Sequence, residues 1–169
     1  TEAREYYEKG LEIFKNLVSR APDDLQALRG LSISYNNLGA LSNAEGSRTE
    51  AREYYEKGLE IFKNLVSRTP DDFQALRYLS VSYNKLGDLC NAEGSRNAAR
   101  EYYEKARAIC EHLVSRTPED LQALMILGLF YYNLGNLSKS EGDHEQAEEY
   151  YKKALETRDR LNGNSGESE

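Results

Sequence analysis

Two cysteines, Cys90 and Cys110, and two histidines, His112 and His144, are the side chains from which nucleophilic, redox or metal chemistry would be built. Metal ligation needs several such groups at short spacing, and acyl transfer needs a nucleophile beside a base. Neither spacing occurs, and no glycine-rich phosphate loop is present. Asn136-Leu137-Ser138 matches a glycosylation acceptor but falls where a helix is expected, so it reads as chance. Carboxylates are plentiful, but those on charged helical faces more often serve solvation than catalysis. The expectation is therefore no enzyme activity, no metal and no cofactor.

The elements that hold these residues are repeats. Thr1–Arg48 returns as Thr49–Arg96 with 41 of 48 positions identical, a looser copy begins at Asn97, and a fragment begins at Glu145. A fixed period of this size signals a solenoid. Against the copies, Cys90 stands where Ser42 does, Cys110 where Phe14 and Phe62 do, His112 where Asn16 and Asn64 do, and His144 where Arg48 and Arg96 do. Residues that change between copies are not a shared catalytic framework. Two reduced thiols suit a reducing compartment, and a cytoplasmic setting is expected.

The net charge of −7 argues against nucleic acid. No apolar run approaches the roughly 20 residues of a membrane span, and no signal-peptide pattern opens the chain. The missing initiator Met reads as an excised or processed piece. Near-identical copies fit recent duplication or a deliberately built or trimmed array.

Each period holds two helices. An A helix opens at Pro22-Asp23-Asp24, carries Leu28, Leu31, Tyr35, Leu38 and Leu41 at helical spacing, and stops at Gly46. In the later copies Thr69 and Thr117 are expected as N-caps, with Asp72 and Asp120 three residues on. Ser47 with Glu50, and Asp143 with Gln146, are expected as capping boxes for the B helix. That helix carries Ala51, Tyr55, Gly58, Leu59, Phe62, Leu65 and Val66 on one stripe and ends near Arg68. Gly39, Gly87 and Gly135 interrupt the A helices. The apolar stripe continues past them, so an unbroken helix is predicted, with glycine admitting a close neighbour. The whole chain reads B-A-B-A-B-A-B: all-α, about seven helices, antiparallel neighbours on short loops.

The joint pattern resembles tetratricopeptide repeats. Leu28-x2-Leu31-Ser32-x2-Tyr35, Ala51-x3-Tyr55 and Pro70 follow the family order. So do Leu76, Leu79, Ser80, Tyr83, Ala99, Tyr103 and Pro118, and then Leu124, Leu127, Gly128, Tyr131, Ala147 and Tyr151. The family period is 34. Here both the Tyr-to-Ala and the aromatic-to-Pro gaps are longer by about seven residues, close to two helical turns. Each helix is thus read as lengthened by two turns.

The resemblance implies an antiparallel helix-pair solenoid wound as a right-handed superhelix, one repeat domain over 1–161 with an orphan B helix at 2–20 and repeats from near 22, 70 and 118. It implies a groove of A helices that holds a protein or extended peptide. The family's ligand-facing positions carry over to Arg29, Ile33, Asn36 and Asn37, to Arg77, Val81, Asn84 and Lys85, and to Met125, Leu129, Tyr132 and Asn133. Arg29, Arg77 and Lys85 are expected to hold a carboxylate, with an apolar contact at Met125, Leu129 and Tyr132. The Tyr pairs 6/7, 54/55, 102/103 and 150/151 are expected in the core at their second member.

The two ends differ. Thr157, Arg158 and Asn162 replace Ile13, Phe14 and Val18 of the first B helix, as a capping repeat requires. Residues 162–169 read as a disordered tail. At the other end Ile13, Phe14, Leu17 and Val18 remain sticky, so a homodimer through this helix is the second functional expectation.

Overall fold

The computed structural model describes residues 2–165, with side chains to residue 163. The helices are α1 (Glu2–Arg20), α2 (Leu25–Ala44), α3 (Arg48–Arg68), α4 (Phe73–Ala92), α5 (Arg96–Arg116), α6 (Leu121–Glu141) and α7 (His144–Ser165). Among the described residues the all-α architecture of seven helices expected from the repeats is observed, with α2, α4 and α6 of the A type and the others of the B type. Contacts group the array read over 1–161 into two compact units, residues 1–89 and 90–169.

In the first unit α1 packs on α2 and α2 on α3. Leu11, Leu31 and Leu38 form a buried cluster, against which Tyr7, Phe14, Val18, Tyr35, Tyr54 and Ile61 pack. In the second unit α5 packs on α6 and α6 on α7. Cys90, Ala99, Tyr103, Leu134 and Leu137 form a corresponding cluster.

The A helices run unbroken through their glycines because close packing requires them. A Cβ at Gly39 would meet the Tyr55 ring at 2.6 Å, and one at Gly135 would meet Tyr151 at 2.6 Å. Each A helix then ends where the chain turns left-handed. Gly46, Gly94 and Gly142 have φ of +85°, +78° and +84°. Ser47 N–H donates to Ser42 C=O (2.8 Å) and Gly46 N–H to Asn43 C=O (3.1 Å), a Schellman closure that recurs at Ser95/Gly94 and Asp143/Gly142.

The helix starts differ from expectation. Pro22 lies in a turn, and α2 begins at Leu25 with Asp24 as N-cap, its carboxylate accepting from Gln26 and Ala27 N–H. Asp72 and Asp120 cap α4 and α6 through Ala75 and Ala123 N–H, both at 3.0 Å. Thr69 and Thr117 instead close the preceding B helices, donating to Leu65 and Leu113 C=O. A threonine hydroxyl can serve either helix. With an aspartate available three residues on, the stronger acceptor takes the start.

The capping box at Ser47 is not formed, since Ser47 makes no side-chain cap. Glu50 is drawn away by Arg4, whose guanidinium reaches both of its oxygens at 3.0 and 3.1 Å and also Glu45 and Ser42. Asp143 does cap α7, accepting from Gln146 N–H at 3.0 Å. The Gln146 side chain, like Glu50, goes to an arginine of the preceding B helix, Arg100, which also binds Ser138 and Glu141. An arginine near the start of one B helix thus clasps the following A-to-B turn.

Where a disordered tail was expected over 162–169, α7 continues to Ser165. Asn162 and Gly163 each cost a propagating helix only about 1 kcal/mol or less. Residues 166–169 lie outside the described residues.

Candidate functional site

The A helices carry the twelve positions expected to line a groove, and burial sorts them. On α2, Asn36 is buried, Arg29 and Ile33 are half-buried, and Asn37 is exposed. Asn36 donates to Ser82 Oγ on α4 at 2.9 Å. Arg29 ion-pairs with Asp72 at 2.5 Å and reaches Gln74 at 3.3 Å. These two side chains fasten α2 to α4, and the Arg29 charge expected to meet a ligand carboxylate is matched by the N-cap of the next A helix. On α4, Asn84 is buried and donates to Asp88 at 3.0 Å, while Arg77, Val81 and Lys85 are half-buried. The Lys85 ammonium lies 5.8 Å from the centre of the Tyr55 ring.

On α6 three of the four positions are bare. Met125, Leu129 and Tyr132 are 63%, 49% and 53% exposed, Leu121 one turn earlier is 42% exposed, and Asn133 is half-buried. Two periods separate Met125 from Arg29 and Tyr132 from Asn36, so these residues occupy the face that α4 covers on α2. The adjoining helix tells the same story. Leu59 on α3 is 8% exposed, while its equivalent on α7, Leu155, is 49% exposed. Phe62 stacks on Tyr78 of α4 at 5.3 Å, whereas Arg158 stands in its place on α7 and bonds only its neighbour Asp159 among the contacts described. The polar substitutions of α7 therefore cap only half of this end. Thr157 is in fact buried, its hydroxyl turned back to Lys153 C=O.

The first helix splits likewise. Phe14 and Val18 pack on the α2 core, the Phe14 ring lying over Gly30, which has no Cβ to obstruct it. Ile13 and Leu17 face outward, as does Tyr6. Of the four residues expected to promote self-association, two are thus available. The equivalents of Tyr6, Ile13 and Leu17 on α3 are Tyr54, Ile61 and Leu65, and none of these is exposed. Among the described residues every exposed large hydrophobic lies on one of these two patches: Tyr6, Ile13 and Leu17 on α1, or Leu121, Met125, Leu129, Tyr132 and Leu155 on α6 and α7.

Of the tyrosine pairs, Tyr55 and Tyr103 are buried and Tyr7 and Tyr151 half-buried, as core positions should be. Burial pushes the Tyr55 hydroxyl up to about 12. One polar cluster has no counterpart in the sequence reading. Arg107 bonds Glu104 and Glu111, Glu111 accepts from Tyr131 (2.6 Å), Glu104 accepts from Tyr150 (2.8 Å), and the two tyrosine rings stack at 6.4 Å. Burial and then the Glu104 bond push Tyr150 up to about 12. The signal was present in the copies. Arg107 replaces Leu11 and Leu59 while Glu111 replaces Lys15 and Lys63, a paired change of charge four residues apart.

His112 and His144 are both exposed, and Cys90 and Cys110 are buried thiols. Among the described residues no group of three or more His, Cys, Asp or Glu could hold a metal ion, and no helix is long and apolar enough to cross a membrane.

Three segments, 32–73, 81–115 and 129–159, match tetratricopeptide repeat families. No curated protein matches the sequence. Among solved structures, BtubC (BKLC) from P. vanneervenii aligns with a TM-score of 0.72 at 24% identity, over 96% of this chain and 58% of that one. The de novo designed helical repeat protein DHR81 aligns at 0.58 and 19% identity, over 95% and 93% of the two chains. MamA MSR-1 C2 aligns at 0.52 and 16%, over 92% and 69%. At these identities the likeness concerns the fold alone.

Proposed function

Because this chain is a tetratricopeptide-like repeat protein, we propose that it acts as a protein-interaction module and that the exposed stripe of α6 is its docking surface. Tetratricopeptide repeats mediate protein–protein interaction or assembly and typically carry no catalytic activity. The observation that carries the reading is Leu121, Met125, Leu129 and Tyr132, four large apolar side chains bare on one helical face. An apolar patch of this kind marks a binding site rather than ordinary surface. Tyr132 and Met125 also suit recognition, since an aromatic side chain anchors a partner and a flexible thioether adapts to its shape.

The ligand is a protein segment with apolar side chains. Arg29 and Asn36, held within the fold, do not contribute. The buried thiols suit a reducing compartment, which supports a cytoplasmic location. A second reading, self-association, is favoured by Ile13 and Leu17 standing exposed on α1.

Selection of a displayed peptide library on the purified chain tests the docking surface. Binders enriched in apolar side chains should lose at least tenfold in affinity on M125E/L129E. Binders that ignore this double substitution would put the site elsewhere.

A further inference from the structure

We propose that the clasp of α1 on the turn between α2 and α3 is an acid-sensitive latch, opening as its glutamates take up protons, and that the equivalent clasp of α5 on the turn between α6 and α7 is not.

The two clasps are one device built with different charge. Arg4 corresponds to Arg100, Ser42 to Ser138, and Glu45 to Glu141, but Glu50 corresponds to Gln146. Arg4 reaches the two Glu50 oxygens at 3.0 and 3.1 Å, Glu45 at 2.6 Å and Ser42 at 3.2 Å. Glu8 lies 3.8 Å away on its own helix. One guanidinium thus holds three carboxylates, from α1, from the end of α2 and from the start of α3. Tyr54 of α3 and Tyr35 of α2 adjoin the group and stay neutral in acid.

Arg100 bonds Gln146 at 3.0 Å and Ser138 at 3.1 Å, and pairs with Glu141. Glu104, the equivalent of Glu8, turns instead to Arg107 and Tyr150. At the Glu50 corner the second clasp therefore uses an amide, whose bond to arginine does not depend on pH.

An ionised Glu50 accepts from both arms of Arg4. Once protonated, it carries a donor on one oxygen, and the bidentate, charge-assisted pair becomes at most a neutral bond. What then holds α1 to α2 is the apolar contact of Leu11, Phe14 and Val18, which is indifferent to pH. The bonds from Arg4 and then Ser42 keep the Glu50 carboxyl below the ordinary carboxylate range. Its contribution is therefore complete above that range and is lost as pH falls through the lowered value.

Hydrogen exchange of the full chain, read by mass spectrometry and referred to unstructured peptide at the same pH, tests this. From about pH 6 to about pH 3, a span that covers carboxylate titration, protection of α1 should fall at least tenfold and that of α5 less than threefold. Glu50→Gln supplies the acceptor found at Gln146. It should leave α1 protected at pH 6 and reduce its fall to less than threefold. Gln146→Glu should give α5 an acid step that wild type lacks. An α1 that keeps its protection at pH 3 overturns the proposal. So does a Glu50→Gln variant that falls as far as wild type, or an equal loss in α1 and α5.

Discussion

At the scale of single residues, near-identical copies act as controls for one another. Leu11 and Leu59 are both buried in the α1 and α3 positions that Arg107 occupies on α5. An arginine there would be costly without partners. It has them because Lys15 and Lys63 became Glu111, which supplies a second carboxylate beside Glu104. Arg107→Leu should therefore cost about 2 kcal/mol in chemical denaturation, within the range of charge-assisted hydrogen bonds. R107L/E111K, which restores the combination of the other copies, should recover at least half of that. An Arg107→Leu variant as stable as wild type would mean that desolvation of the cluster cancels its bonds. The paired substitution was legible in the sequence. Its meaning was not, because the tyrosines that complete the ring come from two other helices.

At the scale of elements, the helices follow from the sequence and their ends do not. Apolar periodicity locates α2 and α3 because burial of a whole stripe decides them, and Gly39 marks a point of close approach to the neighbouring helix. Caps rest on single hydrogen bonds for which nearby side chains compete. Asp24 and Asp72 took the starts expected around Pro22 and Thr69, and Arg4 took Glu50 from its cap. Asp72 does two jobs, one oxygen on Ala75 N–H and the other on Arg29. Asp72→Ala should lose both, about 2 kcal/mol in all, and lower the melting temperature by roughly 4–8 °C. Asp72→Asn keeps an N-cap acceptor and loses only the charge, so it should fall between the two. Equal effects from both substitutions would show that the cap contributes nothing beyond the ion pair.

At the scale of the whole molecule, Tyr54, Tyr55, Tyr131 and Tyr150, spread over both units of the repeats, give the protein an alkaline limit. The end face of α6 was half legible, since Met125, Leu129 and Tyr132 stood out as apolar. That they are uncovered follows only from seeing α4 seated on α2. The tyrosines divide in the same way, by what lies over them. Burial raises Tyr54, Tyr55, Tyr131 and Tyr150 above the ordinary value near 10, with Tyr55 and Tyr150 reaching about 12. Tyr131 and Tyr150 are raised further because each donates to a carboxylate, a bond the phenolate could not make. A hydroxyl whose folded value exceeds its unfolded one favours the fold while neutral. That contribution is complete below pH 10 and is lost as pH rises through 12. Absorbance near 295 nm during an alkaline titration should therefore show a late step from Tyr54, Tyr55, Tyr131 and Tyr150. That step should come together with loss of helical circular dichroism. Tyr55→Phe and Tyr150→Phe should each shrink the late step, and a titration with no step near pH 12 would contradict this account of the core.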